Sequence, residues 1–139
     1  MVELIITIVI VVILSMVSVA VYNGYVKKAI LTEGKVLSGS LARAQHLYYS
    51  TNGTWFDCFF TDFCKELDID ARSNKYFKKF SIDIYPPGGK RAATVYALYF
   101  RTDGRVWIVC VDLFSDGKRS DFYFDESSSD LWEFPGGDW

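Results

Sequence analysis

Few of the side chains capable of chemistry fall at the spacings that chemistry requires. Three cysteines stand at 58, 64 and 110, and the first two bracket CFFTDFC, a span that closes easily as a Cys58–Cys64 disulfide in an oxidising compartment. Cys110 lies in the strand-like run VWIVCVDL, where a buried free thiol and a bond to either other cysteine both stay open. The single histidine, His46, is distant in sequence from all three sulfurs, and C-x5-C is not the spacing of a zinc knuckle. Asp68 and Asp70 stand two apart in DIDAR and read as surface carboxylates, because nothing near them supplies the water-excluding pocket that general acid work needs. SDGK and FDESSSD carry oxygen ligands but make a poor calcium loop. There is no glycine-rich phosphate loop, HExxH pair or nucleophile elbow. The expectation is a protein that is not an enzyme, with no catalytic residue, no metal ligand and no cofactor.

Glu3 resists so bland an account. It stands at the mouth of a run from Leu4 to Val26, 23 positions without a charge. As a helix that run rises roughly 34 Å, enough to cross a hydrocarbon core of about 30 Å. A removable signal would carry a basic start and a shorter apolar stretch, whereas the first basic residue here is Lys27. Lys27 and Lys28 directly after the span fit the positive-inside tendency poorly if the long domain lies outside. If such helices pack together, the carboxylate enters an apolar bundle, where an unpaired charge is costly. The free amino terminus of a neighbouring chain would neutralise it and fix the axial register.

The elements that position these groups follow from periodicity. The whole chain has 139 residues, enough for one modest domain beyond the membrane-type segment. Past the span, Val26, Ile30, Leu37, Leu41, Ala44 and Tyr48 fall on one helical face and predict the helix–sheet core. The first clear stop is STNGT at 50–54. One helix of about 50 residues is therefore predicted, apolar all round in its first half and amphipathic in its second. Gly24, Gly34 and Gly39 interrupt good helix formers and are candidates for bends or close helix packing. An aromatic-rich stretch from Trp55 to Phe77 follows, with a short helix expected near Phe63–Ala71.

Alternation then takes over. Phe80, Ile82 and Ile84 share a strand face before the PPGG turn, ATVYALYF is rich in strand formers, and Asp103–Gly104 reads as a tight hairpin into RVWIVCVDL. Ser115–Asp116–Gly117 forms the next turn before DFYF. The predicted class is α+β, a long N-terminal helix packed on a four-stranded antiparallel meander. The segments are 1–26, the membrane-spanning or filament-core half-helix; 27–52, its amphipathic continuation; 53–79, a connecting region; 80–125, the sheet; and 126–139, an acidic tail.

Charge narrows the partners. The net charge of −2 argues against nucleic acid as a main partner, since such binding neutralises phosphates with excess basic groups. Residues 27–119 hold fifteen basic against ten acidic side chains, while 120–139 hold six acidic and no basic ones. The acidic tail is a candidate contact for a basic face.

The stretch MVELIITIVIVVILSMVSVAVYNGYVKKAILTEGKVLSGSLARAQHLYYSTNGTW resembles the mature N-terminal helix of type IV pilins and of type II secretion pseudopilins, and is most like a type IVa major pilin. The resemblance covers roughly the first 55 residues. It aligns Glu3 with the family's glutamate, Tyr22 and Tyr25 with the tyrosines after the span, and Ala44, Gln45, Tyr48, Tyr49 and Gly53 with an AQxxYY-to-glycine pattern. Glu3 stands two positions nearer the start than the family's glutamate, and Ala20 occupies the place where many members carry proline. The resemblance implies removal of a leader by a prepilin peptidase, methylation of the new terminus, a pool in the bacterial inner membrane, and assembly by an ATP-driven machine into a surface filament. It implies a homopolymer serving adhesion, twitching motility or DNA uptake. A pseudopilin forming a short periplasmic pseudopilus is the alternative, followed by a minor pilin or a single-pass anchored binding domain.

Overall fold

The computed structural model describes residues 2–128. A single helix, α1 (Val2–Asn52), precedes seven strands: β1 (Cys58–Thr61), β2 (Phe63–Cys64), β3 (Ile69–Asp70), β4 (Lys79–Ile84), β5 (Arg91–Phe100), β6 (Arg105–Phe114) and β7 (Tyr123–Ser128). The chain divides into two compact units between Thr32 and Glu33. In the larger unit the helix packs on an antiparallel sheet, the predicted α+β architecture. The sheet order is β1-β4-β5-β6-β7, so the predicted four-stranded meander is β4 to β7 and β1 adds a fifth strand at its edge.

The strands form where alternation and turn chemistry agree. β5 and β6 pair over ten residues each, with Val95 opposite Val111 and Ala97 opposite Val109. Gly104 takes φ 79° in the turn between them and Gly88 takes φ 108° in PPGG, conformations that glycine adopts without steric cost. The expected short helix at 63–71 is instead a ribbon, with Phe63 opposite Asp70 and Cys64 opposite Ile69. Its turn requires φ 53° at Asp68, which a regular helix does not allow. Of the acidic tail, residues 129–139 lie outside the described residues; Glu126, just before them, pairs with Arg105 at 3.1 Å.

The helix meets the sheet along a narrow seam. Leu37 and Leu41 are buried, as are Ala42, Ser38, Gly34 and Gly39. Ala44 and Tyr48 are half-buried; in the smaller unit, taken by itself, Ile30 is buried and Val26 half-buried. Three polar side chains hold backbone across the seam. Glu33 Oε1 accepts from the N–H groups of Tyr76 at 2.7 Å and Phe77 at 2.8 Å. Ser38 Oγ donates to the Val109 carbonyl at 2.9 Å. Gln45 donates through Nε2 to the Phe56 carbonyl and accepts from the Phe56 N–H at 3.2 Å.

Gly34 sets how close the two layers come. A Cβ there would stand 2.7 Å from Val109 Cγ2 and 2.8 Å from Phe77 Cζ, both on buried side chains. Around Gly24 nothing lies within 4 Å of that position. Alanine should therefore act with opposite sign at the two sites. Gly34→Ala is expected to destabilise the globular unit by about 1–2 kcal/mol, overpacking outweighing the gain in helix propensity. Gly24→Ala is expected to stabilise its stretch of helix by up to about 1 kcal/mol. Thermal unfolding by circular dichroism of the full chain in detergent checks both, and equal effects at the two positions would refute the seam.

Candidate functional site: an exposed apolar half-helix

In the smaller unit, every Val, Leu, Ile and Met side chain from Val2 to Val21 is exposed, from 45% at Val12 to 71% at Met16. No stripe of the helix is spared: Ile10, Val11, Val12 and Ile13 follow one another at about 100° around the axis, and all are at least 45% exposed. The few hydroxyls in this stretch are satisfied internally. Thr7 donates to the Leu4 carbonyl at 2.8 Å, and Ser15 and Ser18 donate to Val11 and Leu14 at 2.7 Å. They therefore present no unpaired polar group to an apolar surrounding. By length and composition this helix can cross a membrane, and the same surface can pack against like helices.

Glu3 is exposed in the first turn, where the helix dipole favours a negative charge. Tyr22 and Tyr25 are two-thirds exposed, with the Lys28 Nζ 5.9 Å from the Tyr25 ring centre. Glu3, Tyr22, Gly24 and Tyr25 thus share the open half-helix, while Gly34 and Gly39 lie in the globular unit. Gly39 there would give an added Cβ an ordinary 3.5 Å contact with Phe122.

The other reactive groups fall into packing or pairing roles. His46 meets Trp55 edge-on at 5.5 Å, and Tyr49 stacks on the same indole at 4.6 Å. Asp70 forms a two-pronged pair with Arg72 at 2.9 and 2.7 Å, and those hydrogen bonds hold its carboxyl down at about 2. Such a group is an ion-pair partner and a poor general acid. Among the described residues, no three His, Cys, Asp or Glu side chains gather as metal ligands would. Sequence reasoning missed Glu33 and Ser38, and named Gln45 without a role. The available signal was that polar residues at 33, 38 and 45 interrupt the apolar face that carries Leu37 and Leu41.

Cys58 and Cys64 approach to 3.0 Å without being bonded. Burial, reinforced by the adjacent Cys64, pushes the Cys58 thiol up to about 12. Its thiolate fraction near pH 8 should be about a thousandfold below that of an ordinary thiol. In reduced protein, iodoacetamide should thus label Cys58 far more slowly than a free peptide cysteine, with the rate still climbing above pH 10. A plateau near pH 9 in peptide mass analysis would contradict this. Comparison with known proteins finds no matching family model, no matching curated protein and no matching solved structure.

Proposed function

We propose that this chain is a structural subunit that polymerises through its N-terminal helix into a type IV pilus filament, most like a major pilin. The observation that carries the reading is the half-helix whose apolar side chains are exposed all round, headed by a carboxylate at Glu3. That surface must be covered by lipid or by other helices, and one helix can use both in turn. In this reading residues 1–26 anchor the subunit in the inner membrane and later form the filament core. Residues 27–52 tie that core to the sheet domain, 53–79 connecting to the 80–125 sheet, which forms the exposed surface. A prepilin peptidase, terminal methylation and an assembly machine belong to the same reading, with the filament at the bacterial surface serving adhesion, motility or DNA uptake.

Within the filament, Glu3 takes the register role. Surrounded by apolar helices it requires a cation, and the amino terminus of the adjoining subunit has the right charge and axial position. Tyr22, Gly24 and Tyr25 form the packing band where helices leave the core. The Cys58–Cys64 pair is proposed to close in the oxidising envelope, both thiols losing their protons and passing two electrons to a disulfide donor. The bond would brace β1 against the β2–β3 ribbon.

Glu3→Ala should cut filament yield at least tenfold in intact cells while leaving the subunit in the membrane fraction. Wild-type yield from that variant would remove the register role, and a chain retained in the envelope but absent from fibres would favour a pseudopilin or an anchored binding domain. Peptide mass analysis of protein never exposed to reductant should find Cys58 joined to Cys64; two free thiols there would end the disulfide proposal.

A further inference from the structure

Two of the three asparagines precede glycine, at Asn23–Gly24 and Asn52–Gly53. This dipeptide has a chemistry of its own, because glycine carries no side chain to shield its backbone nitrogen. That nitrogen can attack the side-chain carbonyl carbon of the asparagine before it, wherever the backbone is free to bring the two atoms together. Both asparagines are exposed, so surface position does not separate them. Their backbones do.

Asn23–Gly24 lies well inside α1, far from either end. There the Gly24 N–H belongs to the helical ladder and is spent on the carbonyl four residues back. Freeing it means breaking the helix from within, which cooperativity opposes. Asn52 is the last residue of the same helix. Gly53 follows it at φ 72°, and its N–H closes the helix on the Tyr49 carbonyl at 2.8 Å, a left-handed glycine cap. Asn52 Nδ2 donates to the Tyr48 carbonyl at 3.1 Å. These two hydrogen bonds are all that the reacting groups must release, and terminal turns open at almost no cost in free energy. No atom lies within 4 Å of where a Gly53 Cβ would stand, so no neighbour hinders the approach.

We propose that Asn52 is a site of spontaneous deamidation, while the identical dipeptide at Asn23 is protected. Once the last turn frays, the Gly53 nitrogen bonds to Asn52 Cγ. The Cγ–Nδ2 bond breaks, and the amide leaves as ammonia with the proton that Gly53 gives up. Water then opens the resulting five-membered imide at either of its two carbonyl–nitrogen bonds. One opening gives aspartate, and the other gives isoaspartate, whose main chain runs through the side-chain carbon. Amide and water become acid and ammonia, with no oxidant, reductant or enzyme needed. The product carries a carboxylate at the negative end of the helix dipole, in a last turn that has no basic side chain. Isoaspartate also lengthens the main chain by one carbon and draws the Gly53 N–H off Tyr49. Tyr49 stacks on Trp55 at 4.6 Å, so the loosening reaches the start of the connector. An ageing chain thus acquires a defined change where the helix ends, whether or not it polymerises.

The full chain in detergent, aged at mildly alkaline pH and followed by peptide mass analysis, tests this. The Asn52 peptide should gain the mass of an amide-to-acid change at least tenfold faster than the Asn23 peptide, and should divide into aspartate and isoaspartate forms. In guanidinium chloride the two asparagines should react within threefold of each other, since the folded backbone alone sets them apart. Equal rates in the folded chain overturn the proposal, as does a difference that persists undiminished in denaturant. Aspartate without isoaspartate also overturns it, because direct hydrolysis of the side chain then replaces attack by Gly53. Gly53→Ala sets a methyl group beside the nucleophile and should slow Asn52 at least fivefold in denaturant, where folding plays no part. An unchanged rate there removes the Gly53 nitrogen from the reaction.

Discussion

The globular unit depends on one close approach, the backbone of α1 at Gly34 against Phe77 and Val109. Because no Cβ fits there, helix and sheet come near enough for short side chains to bridge them. Ser38, one turn on, reaches the Val109 carbonyl with a hydroxyl, and Glu33 on the other side takes two consecutive N–H groups with one carboxylate oxygen. A bulkier residue at 34 would lengthen all three hydrogen bonds together. Each is worth about 1 kcal/mol net, and a buried partner left unsatisfied costs more. The polar groups at this seam therefore select one register of helix against sheet, which apolar packing alone specifies loosely.

Gln45 extends the same logic to the connector. It is fully buried and pairs with both the N–H and the carbonyl of Phe56, satisfying a peptide unit as a neighbouring strand would. Phe56 is thereby fixed four residues beyond the helix end, next to Tyr48. The chain then enters β1 at Cys58 with little freedom left. Two anchors, Gln45 before β1 and Glu33 before β4, pin both ends of a segment whose own strands are too short to be self-supporting.

What was legible in the sequence follows from length of pattern. Fifty residues without a helix stop, and strands of ten residues, carry many repeats of their periods, so the long helix and the β5–β6 pair were plain. β1, β2 and β3 have four, two and two residues, too few for alternation to register. Phe60 at φ 43° and Asp68 at φ 53° turn the chain without glycine, so the usual turn signal was missing as well. Glu33, Ser38 and Gln45 were assigned no contact because a buried polar side chain is recognised only by its distant backbone partner. Burial of both faces of β6 was foreshadowed by the unbroken run VWIVCV, in which alternation cannot show.

The smaller unit obeys a different rule, since its large apolar side chains from Val2 to Val21 remain exposed. Ile6 and Ile10 stay at least half exposed, as do Ile13 and Val17 one or two turns on, so folding of the subunit leaves their transfer energy unused. Burial of each such side chain is worth about 1.5–3 kcal/mol, and lipid tails or neighbouring helices supply it almost equally. Apolar area thus gives no preference between membrane and polymer. Direction must come from the groups that distinguish the two settings, and Glu3 is the charged one. At a bilayer surface its carboxylate keeps water; among packed helices it must find a cation. In the proposed filament, a residue that costs little in the first setting and demands a partner in the second would make one axial arrangement of neighbours better than the others. A uniformly apolar helix offers no other means of measuring that offset.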